Sequence, residues 1–164
     1  MAAKTAVVVL LVTALTAGCG GASRPDFAQA HGWHVLAEPG QIVSAANVPF
    51  ASADRSQSAP IRTVASLPRQ GIVIWVQWLR RGKVPAEDRH FSRRSLPLRV
   101  QGMAAVQPEG FTCPPSSGNG CSTRAIQAAS TRWDVAVWVF FGTAHPSSAT
   151  VAVANRELAQ LRFA

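Results

Sequence analysis

Two nine-residue apolar segments constrain the fold of this chain more than any other feature of its sequence. Residues 71–79 (GIVIWVQWL) and 133–141 (WDVAVWVFF) carry large apolar side chains at both odd and even positions. A strand that is apolar on both faces belongs in the interior of a sheet that is covered on both sides. The two segments are therefore predicted to be the central strands of a sheet.

Weaker patterns complete the predicted domain. Shorter strands are predicted at 33–37, 41–47, 96–100 and 124–130. Residues 51–60 (ASADRSQSAP) are predicted to be a surface loop. Four apolar residues near the C-terminus recur at helical spacing, namely Val151, Ala154, Leu158 and Leu161, and Ser147 is a candidate N-cap before them. We therefore expect an α+β fold, a mainly antiparallel β-sheet with a long C-terminal helix packed on it.

The first residues have the pattern of a bacterial export signal. Lys4 provides a positive start, and an uncharged, mostly apolar stretch follows at 5–14. This stretch is far shorter than the roughly 20 apolar residues that span a bilayer. Residues 15–19 (LTAGC) resemble the lipobox of bacterial lipoproteins, in which the cysteine is lipidated on sulfur and becomes the new N-terminus. The departure is Thr16, which stands where the lipobox usually has leucine.

The resemblance to a lipobox implies a division of the chain into three parts. These are a lipoprotein-type signal peptide at 1–19, a flexible spacer at 20–30 and a single domain at 31–164. A diacylglyceryl group on Cys19 would anchor the exported protein on the outer face of the cell membrane. The alternative is an ordinary secretory signal cut near Ala17, which would give a secreted protein with a free thiol at Cys19.

The other two cysteines, Cys113 and Cys121, flank the turn-forming sequence PPSSGNG. Exported proteins occupy compartments in which disulfides persist, so we predict a bridge between these two residues. A metal pair is the alternative, but the nearest histidine in sequence is His145, and no further ligand is placed by spacing. The spacing also differs from the Cys-x-x-Cys of redox-active pairs.

Five short motifs recur together along residues 32–161. They are Gly32-Trp33, Leu67-Pro68 with Gly71, Leu96-Pro97-Leu98, Phe141-Gly142 followed by Pro146-Ser147, and Leu158 with Leu161. Their combination resembles a group of uncharacterised short secreted or lipid-anchored proteins of high-GC Gram-positive bacteria. The early Gly-Trp pair gives a remoter likeness to PsbP-like α/β sandwiches. Both resemblances imply a fold and a compartment, and neither supplies functional residues.

The most basic segment lies between residues 80 and 99. It holds two acidic residues and seven basic residues, namely Arg80, Arg81, Lys83, Arg89, Arg93, Arg94 and Arg99. We predict that this segment joins two strands and places its cations along one edge of the sheet, where they would bind an anionic lipid surface or envelope polymer. The alternative is a solvated loop whose charges serve solubility, in a chain whose formal net charge is +8.

The sequence names no reaction. It holds no Gly-x-Ser-x-Gly elbow, no phosphate-binding loop and no His-Glu-x-x-His motif, so no catalytic residue, metal site or cofactor is predicted. No nucleic-acid-binding module is recognisable either. Asp134 stands inside an apolar strand and is expected to form a structural ion pair with Arg132 or Arg124.

The leading hypothesis is a non-enzymatic, lipid-anchored envelope protein that acts as a binding or interaction module and recruits a protein partner or an anionic surface. One alternative is a carrier of an apolar envelope ligand, held in a pocket between sheet and helix that Trp75, Trp78, Trp133 and Trp138 would line. The other alternative is a small envelope hydrolase without a legible motif.

Overall fold

A computed structural model describes residues 25–28, 30–38, 41–57, 59–82, 91–108, 110–112 and 120–163. The strands are Pro25–Phe27 (β1), His34–Glu38 (β2), Ile42–Ala46 (β3), Ile72–Arg80 (β4), Arg93–Arg94 (β5), Ala104–Val106 (β6), Ser122–Ala128 (β7), Trp133–Phe141 (β8) and Leu161–Phe163 (β9). The α-helices are Ile61–Ala65 (α1) and Ser148–Leu158 (α2), and 3-10 helices span Ser52–Ser56 and Val100–Gly102.

The two long apolar segments pair with each other at the centre of the main sheet. Strands β4 and β8 are antiparallel over nine residue pairs, from Ile72 opposite Phe141 to Arg80 opposite Trp133. The strand order is β2-β3-β4-β8-β7-β5, and β6 also pairs with β7. Every pairing in this sheet is antiparallel except that of β5 with β7. The prediction of a mainly antiparallel sheet around these two strands is confirmed.

Helix α2 covers one face of the main sheet, which we call the helix face. Ala154 and Leu158 of α2 are fully buried and pack in one cluster with Ile74 of β4 and Val137 of β8. Burying a leucine, isoleucine or valine side chain contributes about 1.5–3 kcal/mol. A second cluster covers the opposite face, where Val64 of α1 packs with strand residues. The central strands are therefore enclosed from both sides, as their two-faced apolar pattern requires.

The C-terminal helix begins where the sequence indicates but is shorter than expected. The Ser147 hydroxyl accepts a hydrogen bond from the Thr150 backbone N–H at 3.1 Å, which is an N-cap. The helix ends at Leu158 after eleven residues, and the chain then enters β9. Leu161, which completes the apolar stripe, is therefore a buried strand residue. The fold has a helix near the C-terminus, but this helix is not long.

Three of the four weaker strand predictions are confirmed within one or two residues, as β2, β3 and β7. The strand predicted at 96–100 is wrong. Leu98 and Val100 are buried, but they lie in a loop and in the 3-10 helix that follows. The Val100 backbone N–H donates to the Asn155 side-chain oxygen of α2 at 2.8 Å, so helix contacts replace strand pairing in this segment.

Two further segments differ from expectation. Residues 25–27 fall inside the predicted spacer, yet they form β1, which pairs with β9 in a separate two-stranded sheet. The predicted surface loop at 51–60 contains the 3-10 helix Ser52–Ser56, and its Asp54 side chain is fully buried. Strand β1 is held by its pairing with β9, and Asp54 is held by hydrogen bonds to Arg62 and Thr63 just beyond the segment, neither of which a local periodic pattern reports.

Candidate functional site

One end of the main sheet carries a cluster of cations, which we call the arginine end. Here β4 and β7 finish, β8 begins and the short strand β5 runs beside β7. Five exposed arginines lie in these segments, namely Arg80, Arg81, Arg93, Arg94 and Arg132. Although they come from three separate stretches of sequence, the topology of the sheet brings them to one end.

The turn between β7 and β8 fixes two of these arginines. A guanidinium nitrogen of Arg93 donates to the Ser130 carbonyl oxygen at 2.5 Å, and one of Arg81 lies 3.5 Å from the Thr131 carbonyl oxygen. Asp134 accepts the Gly82 backbone N–H at 2.5 Å. The ion pair predicted for Asp134 is therefore wrong, because its described partner is a backbone amide rather than Arg132 or Arg124.

The seven predicted patch residues divide into three groups. Arg80, Arg81, Arg93 and Arg94 are at the arginine end. Arg99 lies beside α2, where it lines a groove of about 310 Å³ together with Arg156. Lys83 and Arg89 lie outside the described residues. Part of the predicted patch is thus assembled, and Arg132, which sequence reasoning placed in an ion pair, joins it.

Aromatic rings cover the face of the sheet opposite α2, which we call the aromatic face. The rings of Trp75 and Trp138 stack with centroids 4.4 Å apart, and Phe111 stacks on Phe140 at 4.6 Å. Phe91 meets Trp138 edge-on at 6.1 Å. Trp75 is half-buried, and its buried indole N–H has no hydrogen-bond partner among the described residues. Trp78 instead packs in the cluster of the helix face, so the tryptophans expected around a single pocket lie on two faces.

A cleft of about 620 Å³ opens at the other end of the sheet. Its walls are the 3-10 helix Val100–Gly102, strand β7, the connection from β8 to α2 and the first turn of α2. The polar residues that line it include Arg124, His145 and Ser148, and the apolar ones include Val100, Met103 and Val151. Sequence reasoning did not predict this cleft, because its walls come from four separate segments.

Two carboxylates are more deeply buried than Asp134. Both oxygens of Asp54 are hydrogen-bonded, to the backbone N–H groups of Arg62 and Thr63 and to the Thr63 hydroxyl. Glu157 of α2 is 1% exposed, and no described residue donates a hydrogen bond to its Oε1. Burial raises the pKa of the Glu157 carboxyl from 4.5 to about 7. Asp54 is a structural residue, and Glu157 is a pH-sensitive one.

The cysteine predictions fall mostly outside the described residues. Cys121 is disulfide-bonded. Cys113 and Cys19 lie outside the described residues, so the Cys113–Cys121 pairing and the lipidation of Cys19 stay predictions. Within the described part of the chain, no three His, Cys, Asp or Glu side chains are grouped so that they could hold a metal ion. Among the same residues, no helix has the length and apolar character needed to cross a bilayer.

Comparison with known proteins gives no relative: no protein-family model, no curated protein and no solved structure matches this chain.

Proposed function

We propose that this chain is a lipid-anchored protein of the bacterial envelope and acts as a binding module whose arginine end rests on anionic headgroups. The convergence of five exposed arginines from three sequence segments at one end of the sheet carries the proposal. Support for the compartment comes from the lipobox-like sequence before Cys19 and from the likeness to short secreted or lipid-anchored proteins of high-GC Gram-positive bacteria.

The chemistry of arginine suits such a surface. A guanidinium presents a planar fork of donors that pairs bidentately with phosphate, and it keeps its charge at every physiological pH. Each cation close to an anionic membrane contributes on the order of 1 kcal/mol. Five cations at one end give an attraction of several kcal/mol at low salt, and this attraction weakens as salt screens it. That is enough to orient a tethered domain.

The tether keeps the domain close to the surface that it is proposed to bind. Five residues, 20–24, separate Cys19 from β1. A chain of that length spans at most about 20 Å even when fully extended. The lipid would therefore hold the domain near the bilayer at a high effective concentration, so that weak individual contacts suffice.

Sedimentation with vesicles tests the role of the arginine end. Residues 20–164 are exported behind an ordinary secretory signal and mixed with phosphatidylcholine vesicles that contain or lack phosphatidylglycerol. The variant Arg80→Ser with Arg94→Ser removes two exposed cations that make no described side-chain hydrogen bond. We expect it to bind anionic vesicles at least tenfold more weakly than the unsubstituted chain.

The control for this experiment is a variant that loses the same number of positive charges at a different place in the fold. Arg62→Ser with Arg156→Ser removes two exposed arginines from α1 and α2. We expect this variant to bind anionic vesicles within about twofold of the unsubstituted chain. Equal losses in both variants would show that net charge alone drives binding and would refute a role for the arginine end.

Mass spectrometry of the membrane-extracted full chain tests the anchor, since Cys19→Ser must abolish any diacylglyceryl adduct.

A second candidate function is the carriage of an apolar envelope molecule on the aromatic face. The observation that favours it is Trp75, a half-buried ring in a cluster of stacked aromatic rings, whose N–H meets no acceptor in the part of the chain that the structure describes. Native mass spectrometry of the exported protein tests it. A bound molecule that disappears on denaturation, and that a Trp75→Ala variant does not retain, would support a carrier. A bare protein in both cases would refute it.

A further inference from the structure

We propose that the cleft between β7 and the first turn of α2 binds a small amphipathic anion. Arg124 would hold its carboxylate or phosphate head, and the apolar part would lie on Val100, Met103 and Val151. The volume of about 620 Å³ lies in the range of small-molecule sites. The cleft and the arginine end are at opposite ends of the main sheet, so this inference does not depend on the proposed membrane contact.

Arg124 is the residue that points to an anion. It stands opposite Val139 in the β7–β8 ladder, on the helix face of the sheet, with the buried Ile126 two residues further along the same face. Its side chain is half-buried and has no acceptor among the described residues. A partly desolvated guanidinium is normally paired, because losing water without gaining an acceptor is costly. The described residues provide no such acceptor for Arg124, and a bound anion would supply one.

The rest of the polar lining is consistent with an anion. The His145 imidazole and the Ser148 hydroxyl lie on the side of the cleft formed by the β8–α2 connection and α2. Both side chains can donate hydrogen bonds. No described residue that lines the cleft is acidic. Among the described residues, an anionic head would therefore meet donors and a positive charge but no competing carboxylate.

The apolar lining favours a ligand that is more than an inorganic ion. Met103 is 7% exposed and Val100 is 7% exposed, and Val151 is half-buried. These three side chains pack with the core of the helix face, so their cleft-facing surfaces are fixed in place. Covering them with an apolar group removes apolar area from water at about 25 cal/mol per Å². An ion such as sulfate or free phosphate has no apolar group to cover these side chains and would not gain this free energy.

Hydrogen bonds hold the walls of the cleft in position before any ligand arrives. Asn155 of α2 accepts the Val100 backbone N–H at 2.8 Å and donates to the Gln101 side chain at 3.0 Å, which fixes the 3-10 helix to α2. On the other side, the Ser122 hydroxyl donates to the Thr143 carbonyl oxygen at 3.0 Å and ties β7 to the β8–α2 connection. A preformed site binds more tightly, because little ordering is required on binding.

Methyl NMR of Met103 tests the proposal directly. The chain has only two methionines, Met1 and Met103, so ¹³C-methyl-methionine labelling gives a reporter inside the cleft that Met103→Leu assigns. The full chain is expressed in a host that exports it and is purified in the form that this host produces. Where the purified protein carries lipid, it is reconstituted in zwitterionic nanodiscs. The probes are hexanoate, hexyl phosphate and the uncharged hexan-1-ol, each titrated to about 20 mM. We expect hexanoate or hexyl phosphate to shift the Met103 methyl with a Kd on the order of 1 mM or lower.

Three variants separate the anion site from general binding. Arg124→Gln is expected to weaken the binding of the anionic probes at least tenfold. The exposed control Arg156→Gln is expected to change their Kd less than twofold. Should Arg124→Gln fail to fold, Ser148→Trp fills the cleft from the exposed first turn of α2 and must abolish the shift while Arg124 is intact. The proposal is overturned if no probe moves the Met103 methyl, if hexan-1-ol binds as tightly as hexanoate, or if Ser148→Trp leaves binding unchanged.

Discussion

Asp54 and Thr63 form a buried pair in which one carboxylate oxygen accepts both the hydroxyl and the backbone N–H of the threonine, at 2.6 and 2.7 Å. The other oxygen of Asp54 accepts the Arg62 backbone N–H at 3.0 Å. Through these bonds the 3-10 helix Ser52–Ser56 caps the start of α1. Because Val64 of α1 packs on the aromatic face, Asp54 indirectly holds the cover of that face in place.

Asp54→Ala should therefore destabilise the domain strongly. The substitution leaves three donors without their acceptor, and hydrogen bonds to a charged group contribute about 1.5–3 kcal/mol each before compensation by water. We expect a loss of about 3 kcal/mol in the free energy of unfolding, measured by urea denaturation. The control is Ser52→Ala, an exposed residue of the same 3-10 helix, which should cost less than about 0.5 kcal/mol. Equal effects would show that the Asp54 network contributes nothing specific.

Gly142→Ala should be among the most damaging single substitutions. A Cβ atom at position 142 would overlap the Pro68 carbonyl group, and the Gly142 N–H donates to the Gly71 carbonyl oxygen at 3.1 Å, so the two backbone segments cannot separate freely. We expect a loss of about 3 kcal/mol in the free energy of unfolding. At Gly102 a Cβ atom would meet only the Ile126 side chain, at 3.9 Å. Gly102→Ala should accordingly change stability by less than about 1 kcal/mol, and a similar cost at both positions would contradict the close approach.

Glu157 should make stability depend on pH. Its pKa is raised from 4.5 to about 7 in the folded state, so the folded protein binds this proton more tightly than the unfolded chain does. The contribution of Glu157 to stability is then highest below pH 4.5, falls as the pH rises towards 7, and is constant above that range. A difference of this size corresponds to about 3 kcal/mol. Urea denaturation across this pH range measures it.

The matched variant for this effect is Glu157→Gln, which keeps the shape of the side chain but cannot ionise. It should be more stable than the unsubstituted protein at pH 8, by about 2–3 kcal/mol, and nearly equal to it at pH 4. The pH profile of the variant should be flatter by the same amount. Parallel profiles for the two proteins would show that Glu157 is solvated when ionised, contrary to its 1% exposure.

Trp75 offers a test of the unpaired indole N–H on the aromatic face. Trp75→Phe removes that N–H and keeps a ring that can stack on Trp138. Since deleting an unsatisfied buried donor offsets part of the lost apolar area, the cost should be about 1 kcal/mol or less. Trp75→Ala removes the whole ring and should cost about 3 kcal/mol. If both variants lose the same amount in urea denaturation, the N–H has a partner and the offset is absent.

The sequence predicted the structure best where buried residues recur at the regular spacing of a strand or a helix. The alternation in 133–141 gave β8 with its observed bounds, and the helical stripe with Ser147 gave the start of α2. It failed at 96–100, because Leu98 and Val100 alternate as in a strand but are buried by contact with α2. Pairings across the whole chain, such as β1 with β9, leave no local periodic signal.

The candidate sites were likewise predictable only where their residues lie in one sequence segment. Charge counting found the basic segment, but it could not separate Arg99, beside α2, from Arg93, beside β7. Arg132 lies in a different sequence segment and reaches the arginine end only through the β4–β8 pairing. One signal for the cleft was present: Arg124 shares its strand face with Ile126 and Ala128, which is an unusual place for a cation.

The pairing of β1 with β9 also decides how this domain would respond to mechanical load. Pro25 lies opposite Phe163, so the two strands leave the two-stranded sheet side by side at the same end. A force that pulls residues 25 and 163 apart acts on one residue pair at a time and unzips the pair of strands, instead of shearing all of its hydrogen bonds together. The nine residue pairs between β4 and β8 bear no load until β1 and β9 have separated.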